Sequence, residues 1–320
     1  MPGQSKNIEL TMTEMAKKLR DYPSYRIYYH KNPDGDAVMS AHALACALQS
    51  IGIQCEPVCS DPVPEAYTEF TANLKFPHLE NTASIAVDSA DAGRLGKYAD
   101  EKITLCIDHH VNNMEADYKY VVPEASSCSE LIYDLIREMG IPVTKQIANM
   151  LYTGLVSDTQ CFRAYSTMSA SLKAAAALAD EGAEIVRIAR KEALEKTRER
   201  LAIEQVLLNS FHYTCDGRIL GCMFTWDDLQ RIGTDDSRLQ GLSQVVDQVR
   251  GLEIGIVVRE TRPGHCRISV RTYTGIDATK ICAEFGGGGH EERSGFEIDL
   301  APAEALERVE RTAAKYIAKQ

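Results

Sequence analysis

The sequence predicts an α/β protein: an N-terminal doubly wound, mainly parallel sheet and a smaller C-terminal α/β domain, joined by a connector helix. Three observations carry this. Short apolar runs alternate with helical segments through the first half, the rhythm of a parallel sheet covered by helices. Near the middle lies "EIVRIARKEALEKTRERLAIEQVLLNS", rich in charge with an apolar stripe; as one helix it would be about 40 Å long. Beyond it the chain turns to hairpin-like strands. The expected division is therefore 1–183, 184–210 and 211–320.

The elements follow in order. An amphipathic helix near residues 8–20 comes first. "YRIYYH" reads as a strand, "AVMSAHALACALQSIG" as a helix stopped by Gly52, and "IQCEPVC" as a second strand. "SIAVDS" and "ITLCIDHH" are buried strands closed by Asp. "SSCSELIYDLIREMG" opens with a capping box, Ser127 and Glu130, and ends at Gly140. Helical segments follow around 144–157 and 168–181, then the connector. In the C-terminal part "FHYTCDGRILGCMF" is a hairpin with Asp216-Gly217 at its turn, "LEIGIVVRE" and "CRISVRTY" are strands, and "DATKICAEF" is a helix running into "GGGGH". A last strand and helix close the chain.

Bulk properties narrow the function. With 320 residues and 44% apolar content the chain can build two cores. A net charge of −11 gives long nucleic acid no basic track. The longest apolar runs are too short for a membrane span and the start lacks a signal-peptide layout, so a soluble cytoplasmic protein is expected. The ten cysteines are scattered through apolar segments and read as reduced core residues.

Acids and histidines gather where the predicted strands end. His30, Asp34 and Asp36 follow the first, Asp88 follows "SIAV", and Asp108, His109 and His110 follow "ITLCI"; Asp158 follows the apolar "YTGLV" of a helical segment. Ligands of an open parallel sheet bind beyond that carboxyl edge. Each piece alone also reads as an ordinary turn, a helix cap or a surface loop. Together they demand a counter-charge, because two carboxylates about 4 Å apart repel by about 4 kcal/mol at an effective dielectric near 20. Two divalent cations supply it. Mixed Asp/His donors suit Mn²⁺, with Zn²⁺ and Fe²⁺ as alternatives, better than Mg²⁺, and such a pair is the usual device for hydroxide attack on phosphorus.

These residues resemble the DHH phosphoesterase superfamily. "HKNPDGDA", "AVDSADAGRLG", "CIDHHVNN" and "GLVSDTQCF" are similar to its four motifs in order, and "EFGGGGHEERSGF" to the Gly-rich signature of the DHH-associated C-terminal domain. The resemblance implies that His30 and Asp34 hold one metal, that Asp36, His109 and Asp158 hold the other, and that Asp88 bridges them. It also implies that His110 faces the substrate phosphate while Asp108 supports the cluster. Size and domain pairing are most similar to enzymes that degrade very short RNA and remove phosphate from 3′-phosphoadenosine 5′-phosphate.

In "CRISVRTY", Arg267, Ser269 and Arg271 lie two apart and share one strand face, a cationic strip in an acidic protein. Gly286 caps a helix, but Gly287, Gly288 and Gly289 exceed what capping needs; backbone N–H groups close to an anion or base, with His290 as a further donor, account for the excess. A solvated strand face and a flexible linker are the plain alternatives. Glu291, Glu292 and Arg293 stand where the signature usually has small residues. The expected substrate is a short single-stranded RNA or nucleotide gripped in a two-domain cleft, with no long nucleic acid and no membrane as partner. Monomer or homodimer, and the direction of hydrolysis, stay open. The rivals are a cyclic- or linear-dinucleotide phosphodiesterase, a manganese-dependent pyrophosphatase, and a non-catalytic nucleotide-binding module.

Overall fold

The computed structural model describes residues 5–164, 166–236, 239 and 241–317. They fall into two compact units, residues 1–195 and 196–320.

The first unit runs β1 (Ile8–Glu9), α1 (Met12–Lys18), β2 (Ser24–Tyr28), α2 (Gly35–Ser50), β3 (Gln54–Val58), α3 (Thr68–Thr71), β4 (Ala83–Val87), β5 (Ile103–Asp108), β6 (Ala116–Val121), α4 (Cys128–Glu138), α5 (Lys145–Asp158), α6 (Ser169–Asp180) and α7 (Ile185–Leu194). Its six strands are all parallel, in the order β1-β6-β5-β4-β2-β3. From β2 the chain moves outward to β3, then returns to the other side of β2 for β4 and continues to β5 and β6. The order therefore reverses between β2 and β4, and the crevice at such a reversal is where open α/β sheets bind ligands. Along β2 the side chains alternate: Tyr25 and Ile27 face the helices, whereas Tyr28 joins Ala86, Cys106 and Leu95 on the opposite face. Helix α2 is buried almost all round, from Gly35 to Ala45, because it lies among the sheet, α4 and α5.

Three expectations need correction. The segment 8–20 is not one helix: Ile8–Glu9 adds an edge strand to β6, and the helix begins after Thr11, whose hydroxyl accepts from Glu14 N at 3.3 Å. Only half of the capping box on α4 forms; Ser127 Oγ accepts from Glu130 N at 3.1 Å, while Glu130 Oε2 finds no partner. The connector 184–210 is two helices, α7 and then α8 (Arg198–Asn209), because Thr197 caps a fresh start by accepting from Arg200 N at 3.1 Å.

In the second unit α8 leads to β7 (His212–Thr214), β8 (Ile219–Phe224), α9 (Trp226–Ile232), β9 (Ile254–Arg262), β10 (His265–Thr272), α10 (Ala278–Ala283), β11 (Gly288–His290), β12 (Arg293–Ile298) and α11 (Pro302–Ile317). The sheet order is β11-β12-β10-β9-β8-β7, antiparallel except for the β8–β9 pair. The β7–β8 hairpin turns at the expected place: Cys215, Asp216 and Gly217 all have positive φ. Helices α10 and α11 cover one sheet face with Ile281, Val309 and Ala313, and α8 covers the other with Ile203 and Leu207. Among the described residues no helix is long and apolar enough to cross a membrane.

Candidate metal centre

The β2–β4 crevice gathers every carboxylate and imidazole expected at the rim. His30 follows β2, and Asp34 caps α2 by accepting from Ala37 N at 3.1 Å. Asp36 sits inside the first turn of α2, fully buried. Asp88 directly follows β4 with φ +54°, a left-handed conformation that costs a non-glycine residue on the order of 1–2 kcal/mol. Asp108 ends β5, His109 and His110 come next, and Asp158 ends α5.

Two triads of donor atoms result, His30 with Asp34 and Asp88, and Asp36 with His109 and Asp158; within each, the atoms lie within 4.8 Å of one another. His30 Nε2 is 3.6 Å from Asp34 Oδ2 and 3.5 Å from Asp88 Oδ2. His109 Nε2 is 3.2 Å from Asp158 Oδ2, 4.0 Å from Asp36 Oδ2 and 3.4 Å from Asp88 Oδ1. Asp88 thus turns one oxygen to each triad.

The donor set fits divalent cations. His30 Nδ1 meets the Lys31 carbonyl at 2.8 Å and His109 Nδ1 meets the Ala125 carbonyl at 3.2 Å, so each ring donates there and offers Nε2 inward. Both Nε2 atoms and Asp88 Oδ1 are buried without a hydrogen-bond partner. Burial alone would lower His30 and His109, but the facing carboxylates override it and raise them to about 10 and about 12. Asp36 is pushed well up by burial and by Asp158 and Asp88, and Asp158 is raised to about 6, mainly by burial. Asp88 alone is held low, because its two histidines outweigh its burial.

A supporting shell holds this arrangement. Asp36 accepts from Cys128 N at 2.6 Å and Ser129 N at 2.9 Å at the start of α4. Asp108 accepts from the N–H groups of His109 and His110, from His110 Nδ1 at 2.9 Å, and from Asn112 Nδ2 at 2.5 Å, which leaves its oxygens committed to support. Asn112 was not anticipated, although it stands inside the quoted "CIDHHVNN". Gly154 lets α5 approach: an added Cβ would overlap Ser129 Oγ and lie 2.8 Å from Asp36 Oδ1.

The second unit carries a separate cavity of about 360 Å³, lined by Arg267, Ser269, Arg271, Gly288, Arg293 and Gly295 among others. Here several expectations change. Arg267 shares the strip's face but is already paired with Glu297 at 3.0 Å and Asp236 at 3.4 Å. Arg271 donates to Ser243 Oγ at 2.6 Å, and its Nε is buried without a partner. Of Gly287, Gly288 and Gly289, only Gly288 lines the cavity. A Cβ on Gly287 would meet Gly295 O at 2.5 Å, and one on Gly289 would meet Arg293 O at 2.5 Å, so these two glycines serve the close packing of β12. His290 is exposed in β11 and outside the lining. Arg293, unassigned in the sequence, lines it.

Residues 24–155 match the DHH family N-terminal domain and residues 225–319 the DHHA1 domain. Over 302 residues, 90% of either chain, the protein is 28% identical to the bifunctional oligoribonuclease and PAP phosphatase NrnA of Thermus thermophilus. A probable manganese-dependent inorganic pyrophosphatase of Bacillus licheniformis is 31% identical, but over only 48% of this chain and 53% of its own. Among solved structures, an exopolyphosphatase-related protein from Bacteroides fragilis superposes with a TM-score of 0.86 at 22% identity, covering 95% of this chain and 96% of that one.

Proposed function

The chain belongs to the DHH family and is a metal-dependent phosphoesterase; on that premise we propose that it hydrolyses very short oligoribonucleotides to nucleoside 5′-monophosphates and removes the 3′-phosphate of 3′-phosphoadenosine 5′-phosphate. The observation that carries the reading is Asp88 standing between two triads whose buried imidazole nitrogens lack partners. His30 and Asp34 would hold one divalent cation and Asp36, His109 and Asp158 the second, with Asp88 offering an oxygen to each. Mn²⁺ is the favoured ion, given the Asp/His donors and the manganese-dependent relative. When bound, such a pair polarises phosphoryl oxygens and activates water.

The chain's own groups do the rest. Asp108 accepts the Nδ1–H of His110, so the ring presents Nε2 to a phosphoryl oxygen where negative charge builds. Asn112 locks Asp108, and the start of α4 locks Asp36, so neither reorganises during reaction. Arg271 and Ser269 of the second unit hold the nucleotide. The choice of short RNA over pyrophosphate leans on a likeness that runs along 90% of both chains, whereas the pyrophosphatase likeness spans about half.

The test is a substrate panel with Mn²⁺: 5′-phosphorylated RNAs from two to about twenty nucleotides, 3′-phosphoadenosine 5′-phosphate, cyclic dinucleotides and pyrophosphate. A net charge of −11 gives long strands no added attraction, so kcat/KM should fall steeply with length. Exclusive cleavage of pyrophosphate, or equal rates on the longest and shortest RNAs, would refute the reading.

A further inference from the structure

We propose that Arg293, opposite Arg271, completes a paired-guanidinium clamp that selects a doubly charged terminal phosphate over a singly charged phosphodiester. The two residues are direct cross-strand partners in the β10–β12 ladder. They project to the same side as Ser269 and Gly295, the next same-face pair along the ladder. Gly288 pairs with Gly295 in turn. A row of Ser269, Gly295 and Gly288 thus floors a trough without bulky side chains, and the two arginines stand together at its end.

Like charges directly opposite one another on adjacent strands destabilise a sheet unless something bridges them. Three nearby carboxylates have other partners. Glu297 and Asp236 pair with Arg267, and Asp236 also pairs with Arg259 at 3.0 Å. Asp247 accepts from Tyr273 at 2.5 Å. Among the described residues neither Arg271 nor Arg293 forms an ion pair, and the buried Nε of Arg271 has no acceptor. Burial first, and then the charge of Arg293, lower the pKa of Arg271, while Asp247 opposes them. Two guanidinium forks match a phosphate monoester, which carries nearly two charges at neutral pH, and leave excess positive charge beside a diester. Arg293 also belongs to the stretch Glu291 to Arg293 in which this chain departs from the usual Gly-rich signature.

This inference rests on the second unit being the nucleotide holder of the proposed enzyme, but its test needs no turnover. Binding of AMP, 3′,5′-cyclic AMP and adenosine to the metal-free full chain is measured by calorimetry at pH 7.5. These probes carry a terminal dianion, a diester monoanion and no phosphate. AMP should bind about tenfold or more tightly than the cyclic diester. Arg293→Ala should bring the two within about twofold while adenosine is unchanged, and Arg293→Lys should restore part of the gap. Equal binding of AMP and cyclic AMP, no binding of AMP, or a ratio untouched by Arg293→Ala would overturn the clamp. A protein that binds AMP in this way yet cleaves no oligonucleotide would refute the proposed reaction and leave the clamp standing.

Discussion

Two buried side chains show how single residues report on this molecule. Asp88 has an oxygen toward each triad, so Asp88→Ala should reduce turnover to a few per cent or less while the far-ultraviolet circular dichroism stays unchanged. Higher residual activity would remove Asp88 from the shared position. His42 tests burial instead. It is packed between Tyr29 and Phe76, its Nδ1 meets Val38 O at 2.7 Å, and burial lowers its pKa to about 4 from the usual 6.5. A depressed pKa means that the unfolded chain takes up the proton first. The stabilising contribution is complete above pH 6.5 and is lost as pH falls toward 4, amounting to about 3 kcal/mol. Thermal melts from pH 7.5 to 4.5 should show a shallower decline for His42→Leu than for wild type; parallel curves would deny the effect.

Among the elements, the contact of α2 with α5 decides whether the centre exists. Gly154→Ala would drive a methyl group into Ser129 Oγ and Asp36 Oδ1, so we expect a loss of about 1–3 kcal/mol in stability and weaker Mn²⁺ binding, read together by melting and metal titration. Strand ends were the legible part of the sequence. An apolar run closing on His or Asp reads directly as a rim position, which is why His30, Asp88 and His109 could be named. Asp158 ends a helix, where no strand rule reaches; it was read from the apolar run before it, and only the division of ligands between two metals rested on resemblance. The β1–β6 edge escaped notice because Asp117 and Lys119 interrupt its alternation, yet both are largely buried. The other partners of Arg267, Gly287 and Gly289 could not be read for a common reason: Glu297, Asp236 and the backbone of β12 are brought to them by strand register, which a linear sequence does not display. Arg293 gained its meaning the same way, through its opposition to Arg271.

For the whole molecule, metal and fold are linked. The donors come from four separate segments between His30 and Asp158, so the unfolded chain offers no comparable site and cations stabilise only the folded first unit. With Mn²⁺ at about 100 times its Kd, each site should add about 2.7 kcal/mol. Calorimetry with and without chelator should shift the melting of residues 1–195 and leave that of residues 196–320 in place; a uniform shift would contradict two separately cored units. The facing carboxylates raise the proton affinity of His30 and His109, so a bound cation would displace those protons and its affinity should rise with pH.

One small geometric fact reaches further than its size suggests. Since a single carboxyl group at the end of β4 is divided between two neighbours, filling either pocket stiffens the arm that the other relies on. Activation by added manganese would then follow one steep joint curve, and half-loaded protein would be scarce.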